Sequence, residues 1–265
     1  MPRRQLVQLL TVALLLAAPA EPQPPSAMDV QDPHATFDVA TIRPSDDKDD
    51  NRYFVPLPGG NGYSVHRQDV RDMIALMHRV PDRQVTGGPE WLDSALWDIE
   101  AKSLTEQPYT LDELHIRFNN LLAERYHLKF HIEQREGPVY LLTVDKSGLK
   151  MKPNPAPEGH KILMSCSGGG VCHGNHIPMD YLCWFLGGEL EAGKRPVLDR
   201  TGLTGAYDFD LTYAPDSPTE NLPAELRDRP GIRDAAREQL GLHIETGRGP
   251  IDYYVIDHIE RPSEN

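Results

Sequence analysis

Positive charge is scarce in this chain. It carries 27 lysines and arginines against 40 acidic residues in 265, a net charge of −13. That balance excludes the basic face that nucleic acid or an anionic membrane surface requires. Cysteine is nearly absent, with Cys166, Cys172 and Cys183 as the three. None stands just after the N-terminal apolar run, which argues against a lipid anchor. There is no Gly-x-Ser-x-Gly elbow and no His-Glu-x-x-His helix, so the usual signatures of serine hydrolases and zinc peptidases are missing. Gly168-Gly169-Gly170 has no lysine-serine or lysine-threonine behind it and reads as a turn, not a phosphate cradle.

The one long apolar run lies at the start. A basic MPRRQ precedes LVQLLTVALLLAA, and Ala18-Pro19-Ala20 fits a small-x-small cleavage site. The run is too short and too abruptly ended for a membrane span. Residues 1–20 therefore read as a signal peptide, and the mature chain, near −15, is expected outside the cytoplasm, secreted or periplasmic. Residues 21–35 form a Pro-rich lead-in. In an oxidising compartment Cys166 and Cys172 can close a small disulfide loop. Cys183 sits in an apolar helical pattern and reads as a buried thiol. The 24 prolines and 21 glycines point to many turns and short elements.

The most informative pattern is internal. His131, Ile132, Glu133, Gly137, Pro138 and Asp145 recur 112 positions later as His243, Ile244, Glu245, Gly249, Pro250 and Asp257. Phe130, Val139 and Val144 recur as Leu242, Ile251 and Ile256. Alternating apolar residues on either side of Arg135–Pro138 predict a β-hairpin over 127–145, and the repeat predicts a second over 241–259. Asp69 caps a helix with Val70, Met73, Ile74 and Met77 on one face, and Thr110 with Glu113 forms a capping box for another. At the same offset Val70, Met73 and Ile74 correspond to Leu182, Phe185 and Leu186, and Gly62 and Val65 to Gly174 and Ile177. The expected fold is α+β with mainly antiparallel sheets, built from two tandem duplicated halves. Each half reads as strand, helix, two strands, helix and hairpin. The halves span 36–152 and 161–262, with a linker at 153–160.

Candidate chemistry is thin. His-Ile-Glu occurs at His131, His243 and His258, where a metal reading competes with the solvent face of a strand. Cys172-His173 with His176 and Cys166 matches no standard zinc spacing. Asp98, Asp199 and Asp208 lie in or beside strands, where a pair could serve as acid and base. Asp199-Arg200-Thr201-Gly202 reads first as turn chemistry. Trp91 follows a Gly-Gly-Pro loop and suits either packing or ligand contact. Trp91, Asp199 and Arg200 are thus the candidate ligand contacts. No catalytic residue, metal ligand or cofactor is assigned.

Longer phrases carry a family resemblance. These are Phe37 to Ser45 (FDVATIRPS), Gly87 to Leu92 (GGPEWL), Leu121 to Tyr126 (LLAERY), Pro138-Val139-Tyr140, and Arg195 to Phe209 (RPVLDRTGLTGAYDF). Together they resemble a soil-associated family of exported proteins expanded in acidobacteria, over Thr36 to Pro262. Tyr126 departs from that family's usual phenylalanine. The resemblance implies no activity, substrate or catalytic residue. It does imply extracytoplasmic sensing or binding, because the same domain occurs joined to BlaR-type sensor metallopeptidases. The expected role is a non-enzymatic module for a peptide, protein or cell-envelope component, with exposed hairpin edges suited to strand addition. The alternative is an extracytoplasmic hydrolase using paired carboxylates.

Overall fold

The computed structural model describes residues 32–46, 51–105, 107–155, 162–167, 170–190, 195–214 and 224–262. The expected leader, most of the lead-in, most of the 153–160 linker and Gly168-Gly169 lie outside them. The chain is a mixed α and β protein with mainly antiparallel sheets. Its strands begin with β1 (Val39–Pro44), β2 (Tyr53–Pro56), β3 (Gly62–Gln68), β4 (Val85–Gly87), β5 (Trp97–Lys102) and β6 (Lys129–Val144). They continue with β7 (Lys152–Asn154), β8 (Leu163–Ser167), β9 (Val171–Pro178), β10 (Val197–Asp199), β11 (Ala206–Thr212) and β12 (Leu242–His258). The helices are α1 (Val70–Met77), α2 (Trp91–Ser94), α3 (Leu111–Arg125), α4 (Met179–Glu189), α5 (Ala224–Arg227) and α6 (Ile232–Ala235), the last followed by a π turn over Ala236–Leu240.

Two outer sheets share one plan. The first runs β1-β5-β3-β2 and the third β7-β11-β9-β8, antiparallel throughout. Each central pair carries a bulge, between Val65 and Gln68 in one and beside Gly174 and Ile177 in the other. In both bulges a non-glycine residue takes positive φ, Arg67 at 53° and His176 at 55°. An aspartate from the neighbouring strand holds each: the Arg67 N–H donates to Asp98 at 3.1 Å, and the His176 N–H to Asp208 at 2.8 Å. The aspartates of Trp97-Asp98-Ile99 and Tyr207-Asp208-Phe209 therefore act structurally. Each satisfies an N–H that the bulge removes from the ladder.

The two expected hairpins are corrected. Each is one uninterrupted strand, and β6 pairs antiparallel with β12 from Leu242↔Val144 to His258↔Lys129. At roughly 3.3 Å per residue the ribbon is ~50 Å long. Gly137 faces Gly249, so the Gly-Pro steps read as turns meet across the ribbon instead. The alternating apolar residues behind the hairpin reading are satisfied equally well by this non-local partner. β10 joins β6, and β4 joins β12, both parallel, giving the order β10-β6-β12-β4. Each half therefore lends a short strand to the other half's long one. The edges expected to be free are largely inner, paired edges.

Two cores sit at opposite ends of the ribbon. One gathers Ile42, Tyr63, Val65, Met73, Ile74, Phe118 and Leu122 with Tyr254 and Ile256 of β12. The other gathers Leu182, Leu186, Phe209, Leu211 and Leu240 with Tyr140 and Leu142 of β6. Each core thus closes on a strand from the other half. The helices form for the expected local reasons. Asp69 accepts from the Asp72 N–H, and Thr110 with Glu113 completes its capping box. The 112-residue offset is corrected from β3 through the first helices: the registers and bulges match Val65 to Gly174, Arg67 to His176 and Gln68 to Ile177, so Gly62 and Val65 do not answer Gly174 and Ile177. Buried Val70, Met73, Ile74 and Met77 of α1 match Met179, Leu182, Cys183 and Leu186 of α4, an offset of 109. The physical reason is length: α4 has 11 residues and α1 has 8, and the extra three restore the offset before β10.

Gly241 is the most constrained turn. It follows the π turn with φ of 70°, and a Cβ there would stand 2.0 Å from the Gly148 carbonyl oxygen. Left-handed backbone and a rigid neighbour both demand glycine. Gly241→Ala is expected to destabilise the protein by about 2–4 kcal/mol, read as a lowered urea midpoint with unchanged slope.

Candidate functional site

The place where side chains of both halves converge lies at the C-terminal end of α1. Arg79 follows the helix with φ of 51°. Its N–H donates to Leu76 O, and the Val80 N–H donates to Ala75 O, a Schellman ending with arginine where glycine is usual. Only 7% of the Arg79 side chain is exposed. Its guanidinium pairs with Asp112 in the first turn of α3 and, at 2.6 Å, with Asp180 in the first turn of α4. It also lies 5.5 Å from the centre of the Tyr181 ring. One strained residue therefore ties the two halves together. Such strain persists only where the surroundings hold it in place.

Around this clasp lie several buried polar groups. His78 packs its ring 4.3 Å from Tyr254 and 5.1 Å from Phe130, and its Nε2 has no hydrogen-bond partner among the described residues. Burial pushes its pKa down to about 4. Burial, then the neighbouring Arg79 charge, pushes His115 down to about 3. The Tyr63 hydroxyl is buried with no hydrogen-bond partner among the described residues, and its pKa is raised by burial.

A shallow open groove of about 390 Å³ runs beside the clasp. Phe54, Ala75, Leu76, Val80 and Trp184 give it apolar walls, and Gln68, Asp72 and Asp82 give it polar ones. Trp184 comes from α4 and rests edge-on against Tyr181 at 5.3 Å, so both halves build the groove. Asp69 engages Arg52 at 3.1 Å, and the Arg52 Nε donates to Arg67 O at 2.7 Å. Asp72 makes no ion pair of its own among the described residues. Burial, then the charge and hydrogen bond of Asp69, then Asp82, push its carboxyl up to about 6, with Arg52 offsetting only a part. Because the folded pKa lies above the ordinary 3.8, Asp72 favours the fold at low pH, and that contribution is lost as pH rises through about 6. Asp72→Asn is therefore expected to stabilise the protein by about 1 kcal/mol at pH 8, after allowance for solvent screening, and to be neutral below pH 4. Urea midpoints of both proteins at the two pH values check this.

The residues singled out from sequence lie elsewhere. Trp91 stacks on Tyr126 at 6.5 Å with Arg261 5.4 Å from its ring centre, and packs against the first core. Asp199 accepts from the Thr201 N–H at 2.8 Å and hydroxyl at 2.7 Å, and the Arg200 N–H donates to Leu142 O, which is turn chemistry at the end of β10. None of the three lines the groove. Cys166 and Cys172 face each other across β8 and β9 and are joined by a disulfide, while Cys183 is buried and free. His131 pairs with Asp257 at 2.8 Å and Glu133 at 3.3 Å on an open strand face, and His258 pairs with Glu260 at 2.9 Å. Among the described residues no three of His, Cys, Asp and Glu form a metal-holding group. Asp72 and Trp184 are not marked by any sequence motif. The one available signal is Asp69 and Asp72 at N-cap and third helical position, a spacing that puts both carboxyls at one helix end.

Among the described residues no helix is long and apolar enough to cross a membrane. No curated protein and no solved structure matches the chain. A family model does match, over residues 71–259, and most of the fold described above falls within that range. The protein belongs to the family described as "Protein of unknown function (DUF3738)".

Proposed function

We propose that this protein is an exported, non-enzymatic binding or sensing module whose inter-half groove receives a peptide, protein or cell-envelope component. The observation that carries this reading is the groove itself: apolar walls from both halves, beside a carboxylate that has no ion pair among the described residues. Export is supported by the basic-then-apolar start of the chain and by the Cys166–Cys172 disulfide, which suits an oxidising compartment. The two halves descend from one copied unit in this reading. Their shared strand order and paired bulges support that descent.

Amide spectra of the mature protein, recorded during titration with fractionated envelope extract, test the binding role. Saturable shifts confined to α1, β2 and the Trp184 indole are expected. Fractions that shift no residue of the groove would count against it. Edman sequencing of the exported protein should begin near Glu21.

A second reading, a hydrolase using paired carboxylates, is favoured by one observation: Asp69 and Asp72 share a hydrogen bond, and Asp72 holds its proton up to about pH 6. It requires that turnover of glycosidic or peptide substrates be abolished in Asp72→Asn. Undiminished turnover in that variant removes it.

A further inference from the structure

We propose that the groove between α1 and α4 docks a short extended peptide that presents a lysine or arginine beside apolar residues. This rests on the binding-module reading above and names its ligand class. The apolar walls of Phe54, Leu76, Val80 and Trp184 would take aliphatic side chains, whose burial is the main favourable term. Asp72 gives the same groove negative charge, and Asp82 adds to it in part, since the Arg83 charge acts on it. The arginines nearby are already committed. Arg52 holds Asp69 and the Arg67 carbonyl, and Arg71 turns to Asp93 and the Gly87 carbonyl. Arg79 is held by Asp112 and Asp180. A cation arriving from outside would therefore meet the Asp72 carboxylate, which has no ion pair of its own among the described residues.

The whole chain agrees with this sign. A net charge of −13 attracts a basic partner and repels a second copy of the same chain. Binding of the cation is linked to ionisation of Asp72, so affinity should rise with pH through about 6.

The test uses the full mature protein and the fluorescence of Trp184, with Trp184→Phe to identify its share of the signal. Acetyl-Leu-Lys-Leu-amide, its glutamine and glutamate counterparts, and spermidine are the probes. At pH 7.5 the lysine peptide should bind at least tenfold more tightly than the glutamine peptide. The glutamate peptide should bind more weakly still. The preference should shrink at pH 5 and in Asp72→Asn, whose fold is checked by its urea midpoint. Equal binding of the three peptides with a Trp184 response would overturn the cation preference but leave the groove as the binding surface. Spermidine binding as tightly as the lysine peptide would overturn the peptide assignment. Peptide binding without any Trp184 response would overturn both this inference and the functional reading beneath it.

Discussion

Arg79→Ala is expected to destabilise the protein by about 2–3 kcal/mol, the largest effect of any side-chain truncation at the inter-half junction. The magnitude follows from what is left behind. Asp112 and Asp180 come from two different helices and are 39% and 51% exposed, so water offsets part of the loss, and the rest is the buried guanidinium's packing and its two ion pairs. The backbone offers an internal control. Arg79 sits at φ of 51°, where alanine keeps the strain and glycine relieves it. Arg79→Gly should therefore be less destabilising than Arg79→Ala by about 1 kcal/mol. In a double-mutant cycle, Arg79→Ala with Asp180→Asn should show a coupling of at least about 1 kcal/mol, since the pair is in direct contact. Urea unfolding gives all of these values. Additive effects would show that the clasp does not join the halves energetically.

Acid should weaken the fold well above the range in which ordinary carboxylates titrate. His78 and His115 are held neutral in the fold, at about 4 and about 3, against 6.5 when exposed. A depressed histidine pKa means that the unfolded chain binds more protons, so stability is fully present above pH 6.5 and falls as pH drops toward the folded values. From pH 7.5 to pH 5 each histidine should remove about 2 kcal/mol, at about 1.36 kcal/mol per pH unit once exposed histidine is protonated. The sum is a large share of the ~5–15 kcal/mol available to a typical domain. Asp72 works in the opposite direction over the same range, by about 1 kcal/mol or less once screened. His78→Phe keeps an aromatic between Phe130 and Tyr254 and should halve the pH dependence. A urea midpoint that does not move between pH 7.5 and 5 would mean that both rings are protonated in the fold.

Local signals in the chain point to the right places. Asp69 and Thr110 cap helices whose apolar stripes face the core, because capping and helical periodicity are decided within a few residues. Trp97 to Lys102 alternates as a strand should. What is not legible is set by partners far away. Gly137-Pro138 has the chemistry of a turn, and nothing near it in sequence reveals that Gly249-Pro250 will lie alongside and keep both strands straight. The parallel additions of β4 and β10, and the exchange of strands between cores, are non-local for the same reason. The groove is a further step removed. It exists because Trp184 of one half arrives beside Asp72 and Phe54 of the other, a meeting that no spacing encodes. The aspartates of the Trp-Asp-Ile and Tyr-Asp-Phe phrases are legible as special. Their role in clasping a bulge is not, since the bulged residues lie about 30 positions away.

The central claim is that the joined halves create one binding surface between α1 and α4. A crystal structure of the mature protein with acetyl-Leu-Lys-Leu-amide tests it most directly. The peptide is expected along Phe54, Leu76 and Trp184 with its ammonium group within about 4 Å of the Asp72 carboxylate, the reach of an ion pair. A peptide found instead as an added strand on the open edge of β2 or β8, with the groove empty, would contradict it.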